Sequence, residues 1–356
     1  MHTSSVRAAF CLKLATCLIL LARITVTVGR EETFVLDKFL AQTTRLTKAE
    51  IDSVHNGKAV AKAIDTPIPD EVFVTGIVYV EAAPESYLKL ANDVDALRKL
   101  PGYLAVQRFS NPPKLSDLSE FSIDADDLKD LKNCKPGDCE VQLPSEAMDQ
   151  FQKSMNWKAA DSANQANRLA RQMTLDALLA YEKGGNAALG AYRDKEHPAR
   201  IDETFRSLLA RLKDLPVYLP ELHRILQEYP AVEMKNATSE FYWEKVDFGL
   251  KPTLRMVQQI IYRGGTPSDP TYGIALKQLY ASHYFQAALD LTVCLRDSTR
   301  PNQKGFYLLT VKGSRQAGLT GLKGSIVRST AVGKTRSSLE NTLKAIKQKL
   351  ETVGRQ

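Results

Sequence analysis

The sequence lacks the short motifs that carry the most familiar enzyme chemistry. No Gly-x-Ser-x-Gly elbow is present, which argues against the hydrolases that use one. Gly333-Lys-Thr335 ends like a phosphate-binding loop, but Arg328 stands where that loop needs glycine. No His-Glu-x-x-His pair occurs, and the five histidines are scattered at positions 2, 55, 197, 223 and 283. We therefore expect no metal ion and no cofactor.

Long apolar runs are missing after residue 29, and the one before it is interrupted. Arg7 and Lys13 precede an apolar stretch from residue 14 to residue 28. This order is typical of a secretory signal, so residues 1–29 are predicted to be a signal peptide and the protein to be exported, either periplasmic or extracellular. A retained membrane anchor is the alternative. Arg23 splits the stretch and leaves it short for a bilayer span, which favours the signal.

Acidic residues are scarce at the C-terminal end of a chain whose net charge is +7 at pH 7. From Asp297 onward there are 12 Lys and Arg residues against 3 acids. Such a segment can be attracted to an anionic membrane surface, and a solvated helix face is the alternative. An exported protein is not expected to meet nucleic acid.

Cysteine is also rare, and only three of the five cysteines follow residue 29. Cys134 and Cys139 flank Lys-Pro-Gly-Asp, and Pro-Gly indicates a turn that brings the two cysteines together. In an oxidising compartment this pair is predicted to form a disulfide. A zinc site would need two further ligands, and none stands nearby. Cys294 lies in an apolar run and is predicted to be a buried thiol.

Alternating and continuous apolar segments predict a mixed fold. Val72–Val80 is β-branched and apolar on both faces, as a buried strand is. Residues 144–230 are instead rich in alanine, leucine, glutamine and arginine and predict helices. Strand patterns return afterwards and end at residues 306–311, followed by a final helix over residues 336–352. The sequence also predicts a loop at residues 263–270 and one long helix over residues 145–182, for which a break near Asn156 is the alternative.

We therefore predict an α+β fold in which a curved antiparallel sheet grips a long C-terminal helix. Residues 30–143 would form the N-terminal part of this domain and residues 231–356 its C-terminal part. Residues 144–230 would be a helical insertion between them.

The strand Val72–Val80 is followed by Ala82-Ala-Pro-Glu85 and, further on, by Asp93. This order resembles the helix-grip fold of START-type lipid-transfer domains and pollen-allergen-like proteins, over about residues 47–135 and 235–352. The resemblance implies a sheet wrapped around the last helix with an apolar cavity between them. It also implies binding or transfer of lipids, sterols or other apolar ligands, although some relatives are cyclases or hydrolases. The helical insertion departs from the family pattern.

Residues 280–285, Tyr-Ala-Ser-His-Tyr-Phe, concentrate rings, hydroxyls and an imidazole in six positions. Strand alternation would place Tyr280 and Tyr284 on one face and His283 on the other. His283 could anchor a ligand headgroup or act as a base, and Arg315 could pair with a carboxylate or phosphate. The alternative is that the rings are core and His283 is a satisfied structural histidine. The predicted ligand-binding residues are Met256, Ile260, Tyr262, Tyr280, His283, Tyr284 and Arg315.

Three functions stay open from the sequence. The first is an exported binding or transport protein for a lipid or other apolar molecule. The second is an enzyme of cyclase or hydrolase type on the same scaffold, using His283. The third is an envelope protein that binds a partner through the helical insertion.

Overall fold

The structure is a computed structural model that describes residues 36–99, 102–248, 251–266, 269–297 and 304–353. The predicted signal peptide, residues 1–29, lies outside these residues, so export stays a prediction. The described residues belong to one compact unit. None of the helices in the described ranges is long and apolar enough to cross a membrane.

A curved eight-stranded antiparallel sheet is the centre of the fold. Its strands run in the order β1-β2-β10-β9-β8-β7-β6-β3, while β4 and β5 form a separate pair. The strands are β1 Val60–Ile64, β2 Glu71–Val80, β3 Tyr103–Arg108, β4 Ala191–Tyr192, β5 Ala199–Arg200, β6 Ala237–Val246, β7 Thr253–Thr266, β8 Asp269–Ala281, β9 Phe285–Leu295 and β10 Phe306–Gln316. The last strand pairs with β2, so strands from the two ends of the chain meet inside one sheet.

Helices cover both faces of the sheet. They are α1 Leu36–Phe39, α2 Lys48–His55, α3 Pro84–Ala91, α4 Val94–Leu97, α5 Ala125–Leu131, α6 Ser145–Ser154, α7 Ser162–Gly184, α8 Ile201–Arg211, α9 Leu215–Tyr218, α10 Pro220–Glu228 and α11 Gly321–Val353. The predicted fold class is confirmed: an α+β fold with a curved antiparallel sheet, a long C-terminal helix and a helical segment.

The two faces of the sheet have different coverings, because successive side chains of a strand point to opposite sides. Val74 and Val78 of β2 pack in one cluster with Leu343 of α11. We call this side the grip face. On β7, Met256 and Ile260 point to the other side and pack with residues from the helical segment α6–α10. We call that side the insertion face.

The C-terminal helix lies close to the grip face at Gly76. A Cβ atom at this position would stand 2.8 Å from a Leu343 methyl carbon and 2.9 Å from the side chain of Leu339. The absence of a side chain therefore lets α11 approach β2 directly. Part of the helix's positive charge is paired along its own length, because Lys344 meets Glu340 and Lys347 meets Glu351. Binding of this helix to a membrane surface stays a prediction.

The C-terminal helix is longer than its sequence pattern indicates. We predicted a helix over residues 336–352, but α11 begins at Gly321. Glycine discourages a helix assignment because it loses more backbone entropy on folding than other residues. At Gly324, however, a Cβ atom would lie 2.5 Å from the carbonyl carbon of Leu319. Gly324 weakens the helical pattern of the sequence, but the close turn at the start of the helix requires it because a side chain would collide with Leu319.

Two further predictions about elements can be compared with the structure. The helix predicted over residues 145–182 has the break near Asn156 that the sequence left open, because it consists of two helices, α6 and α7, separated by residues 155–161. The predicted loop over 263–270 is instead mostly an extension of β7 to Thr266 and of β8 from Asp269. Cross-strand pairing in this long hairpin continues to Thr266 and Asp269, and it overrides the local preference of Gly and Pro for a loop.

Candidate functional site

A cavity of about 150 Å³ lies between the insertion face and the helical segment. The sheet contributes Leu254 and Met256 of β7, and the helices contribute Phe151 of α6 and Met173 of α7. These side chains belong to one cluster, in which Leu254, Met256 and Phe151 are buried and Met173 packs against them. The walls are predominantly hydrocarbon and thioether, so the cavity is suited to an apolar guest.

A β-bulge shapes the sheet side of the cavity. Met256 pairs with Tyr280 and the next residue, Val257, pairs with Gln278, so Leu279 is an extra residue in β8. Consecutive residues of a regular strand point to opposite faces, but at a bulge this alternation breaks. Leu279 and Tyr280 both line the cavity as a result.

Several of the polar groups at the cavity wall already hold the surrounding structure together. The Tyr192 hydroxyl accepts a hydrogen bond from the Ala281 backbone N–H at 2.9 Å. The Ser282 hydroxyl accepts one from the Leu254 N–H at 3.0 Å. Thr174 donates to the Ala170 carbonyl at 2.8 Å. Because these groups are engaged, recognition of a guest would depend mainly on shape and apolar contact.

The volume of the cavity limits the size of its guest. An engineered apolar cavity of about 150 Å³ in another protein stays dry and binds benzene, whereas sites for drug-sized ligands measure about 300–1,000 Å³. The cavity of about 150 Å³ therefore fits a molecule the size of one aromatic ring. An intact lipid or sterol would need the walls to move apart.

The structure divides the predicted ligand-binding residues. Met256 and Tyr280 line the cavity. Ile260 and Tyr262 point to the same face but pack under α8–α10 in a neighbouring cluster. The Tyr262 hydroxyl is 2.8 Å from Glu221, and burial raises its pKa to about 12. Arg315 lies apart from the cavity and binds Asp70 through an Nε–Oδ2 contact of 2.9 Å.

Residues 282–284 form a turn between β8 and β9, so the predicted alternation of residues 280–285 along one strand is wrong. Tyr284 has a left-handed backbone with φ of 62°, and its hydroxyl accepts from the Lys251 N–H at 2.9 Å. The side chain of His283 is 4 % exposed. Its Nδ1 lies 3.1 Å from the carbonyl oxygen of Glu140, and its Nε2 lies 2.9 Å from Asp127.

Both ring nitrogens of His283 are thus occupied by oxygens of other segments. These two contacts fix the orientation of the imidazole ring. Asp127 itself lines the cavity, so His283 supports the cavity wall from behind. The predicted placement of the ligand, between the sheet and the C-terminal helix, stays a prediction. The cavity lies on the insertion face, across the sheet from α11.

The predicted disulfide is confirmed. Cys134 and Cys139 are bonded, with their Cα atoms 4.6 Å apart, and both are buried in the cluster that surrounds the cavity. Cys294 is a buried free thiol, and burial raises its pKa. No cluster of three or more metal-ligating side chains occurs within the described ranges.

Lys277 is a notable residue of this region that the sequence prediction missed. It is 0 % exposed on the insertion face of β8. Its Nζ donates to the Tyr181 hydroxyl at 2.8 Å and to the side-chain oxygen of Asn186. The rings of Tyr181 and Phe205 have their centroids 4.8 and 4.2 Å from Nζ. The signal in the sequence is that Lys277 stands in a strand two residues from Ala275 and from Leu279, which are both apolar. The structure shows that both of these neighbours are buried.

Burial lowers the pKa of Lys277 to about 7, and no charged neighbour opposes this effect. Transfer of an ammonium group out of water favours its neutral form unless an anion compensates. The structure therefore holds a lysine whose uncharged form makes up about half of the population near pH 7.

The grip face carries buried charge of a different kind. Glu244 and Arg255 form an ion pair at 2.8 Å, with side-chain exposures of 2 % and 18 %. The guanidinium lies against the rings of Phe248 and Phe285, at 5.9 and 5.7 Å from their centroids. Burial raises the pKa of Glu244, while Arg255 opposes that shift. Here each charge has a direct counter-charge.

Comparison with known proteins identifies no family. No protein-family model matches the chain, and no curated protein is significantly similar to it. The functional interpretation therefore depends on the geometry of the cavity and its neighbours.

Proposed function

We propose that the protein binds a small apolar molecule, about the size of one aromatic ring, in the cavity of the insertion face. The observation that carries the proposal is a partly open space of about 150 Å³ with predominantly apolar walls. Small molecules bind preferentially in concave sites whose lining is mostly apolar.

The walls favour binding over chemistry at His283. Met256 and Tyr280 offer thioether and ring surface to a guest, which are adaptable apolar contacts. His283 is held through both nitrogens by oxygens of the protein, which supports a structural role for it. The proposed role is that of a binding protein, with export to the periplasm or the extracellular space still a prediction.

Isothermal titration calorimetry with toluene and indole tests the proposal. Ala170 of α7 lines the cavity and is 8 % exposed, so Ala170→Leu should fill part of the space and weaken binding at least about tenfold. Ala180, exposed on the same helix, supplies the matched control Ala180→Leu, which should bind like the wild type. Equal binding by all three proteins would place the ligand elsewhere, and no binding by the wild type would contradict the proposal.

A further inference from the structure

Lys277 lies beside the wall of the cavity. Each of its side-chain contacts belongs to a segment that forms this wall. Tyr181 lines the cavity itself, Asn186 precedes the lining residue Ala188, and Phe205 follows the lining residue Ile201 by one helical turn. The Tyr181 side chain thus separates the amine from the space in which we propose that the guest binds, and it must turn aside for Nζ to reach a guest.

The hydrogen bonds around Nζ suit an uncharged amine. A neutral primary amine has two N–H groups, and two acceptors, the Tyr181 hydroxyl and the Asn186 amide oxygen, face the nitrogen. The nitrogen then keeps its lone pair. None of the ion pairs within the described ranges involves Lys277, and its pKa of about 7 has burial as its cause. Desolvated lysines of this kind are the ones that form Schiff bases with carbonyl compounds.

A proton donor also stands next to the amine. The Tyr181 hydroxyl donates to the Gln258 side-chain oxygen at 2.6 Å, and the Gln258 amide donates to Ser239 at 2.9 Å. Burial keeps Tyr181 protonated by raising its pKa well above the usual 10. The hydroxyl can therefore turn from Gln258 toward an oxygen atom that develops beside Lys277.

We propose that Lys277 captures a small apolar aldehyde as an imine, which makes carbonyl compounds the ligand class of the cavity. This inference rests on the proposed function, since it uses the same cavity. The lone pair of Nζ forms a bond to the carbonyl carbon while the π electrons move to oxygen. A proton passes from nitrogen to that oxygen through Tyr181, giving a carbinolamine. The hydroxyl then leaves as water with the remaining N–H proton, and the electron pair of that N–H bond forms the second bond of C=N. No oxidant or reductant is needed for this step.

Reductive trapping tests the inference on the full chain. The protein is incubated with benzaldehyde and cyanoborohydride near pH 7, and the labelled lysine is identified by peptide mass spectrometry. We expect the label on Lys277, with labelling increasing as pH rises through about 7. Toluene, which fits the same space without a carbonyl group, should reduce labelling of Lys277 and leave exposed lysines unchanged.

Variants separate this inference from the proposed function. Lys277→Met should lose the label and still bind toluene, whereas Lys183→Met, at an exposed position of α7, should be labelled at Lys277 like the wild type. Tyr181→Phe should slow labelling of Lys277 by about a hundredfold, because it removes the positioned proton donor.

An unlabelled Lys277 in a protein that binds toluene would overturn the imine and leave the proposed function intact. If toluene does not bind either, both fail. The wild-type experiment with toluene protection decides the matter even if a variant does not fold.

Discussion

The two faces of the sheet are built from the same strands, but their side chains are buried in different ways. On the grip face α11 approaches β2 directly at Gly76, and the buried charges Glu244 and Arg255 neutralise each other. On the insertion face the helices leave a cavity of about 150 Å³, and Lys277 is buried without an anion. The first arrangement stabilises the fold. The second leaves space and an uncompensated group, which are the properties of a site.

The cost of the insertion face can be expressed as free energy. At about 24 cal/mol per Å³, the value for a closed void, a space of about 150 Å³ would cost at most roughly 4 kcal/mol. The free energy of unfolding of a typical protein is only about 5–15 kcal/mol, so a cost of this size would be a large part of it. A bound guest would restore some of it, since a ligand stabilises the state to which it binds.

Removal of one partner from the ion pair of the grip face should give the largest loss of stability. Arg255→Met leaves Glu244 buried without its counter-charge, and we expect a loss of about 3–5 kcal/mol in the free energy of unfolding. Urea unfolding at neutral pH measures it. The double variant Glu244→Gln/Arg255→Met should recover most of the loss. If Arg255→Met were as stable as the wild type, Arg255 would not offset the cost of burying the charge of Glu244.

Lys277 should make stability depend on pH in the alkaline range. Its pKa is about 7 in the folded protein and close to 10.5 in the unfolded chain, so between these values the unfolded chain binds more protons. Stability therefore rises with pH, by roughly 5 kcal/mol in total if this group alone is considered. Urea unfolding from pH 7 to pH 10 should show the rise in the wild type and a flatter profile in Lys277→Met. Parallel profiles would mean that Lys277 is solvated.

The disulfide holds a segment of the cavity wall, and its removal should have an intermediate effect. Cys134 and Cys139 are separated by 5 positions in sequence. Chain entropy for so short a loop predicts a loss of roughly 2 kcal/mol for Cys134→Ser/Cys139→Ser. Thermal unfolding of the variant and of the reduced wild type should agree. If toluene binding also weakens, the bond shapes the cavity as well as stabilising it.

Filling the cavity should give the smallest effect and the opposite sign. Ala170→Leu places extra methyl groups in the void and is expected to raise stability by about 1 kcal/mol in the absence of ligand. Ala180→Leu, outside the cavity, should change it by less than about 0.5 kcal/mol. A destabilised Ala170→Leu variant would indicate that the void is too narrow for the added atoms.

Local patterns predicted the features that depend on neighbouring residues. The β-branched run of β2 and the Cys-Lys-Pro-Gly-Asp-Cys turn are local, and the structure contains both. The predicted alternation of residues 280–285 along one strand was wrong because Tyr284 has a left-handed backbone, which the sequence pattern does not reveal. The partner of His283, Asp127, is 156 residues away, so its role could not be deduced from spacing.

The cavity itself is a property of long-range packing. Its walls unite Phe151, Met173 and Met256, which no periodic pattern connects. The bulge at Leu279 adds a residue to β8 and changes which side chains face the helices. Sequence reasoning identified the two wall residues Met256 and Tyr280 and assigned them to a cavity under α11, on the opposite side of the sheet.

A crystal structure of the protein pressurised with xenon would test the central claim most directly. Xenon occupies dry apolar cavities and needs no specific polar contact. The account predicts a xenon atom among Phe151, Met173 and Met256 on the insertion face, and none on the grip face near Glu244 and Arg255. Ordered water in that cavity, or walls collapsed onto each other, would contradict the claim that this face holds an apolar binding site.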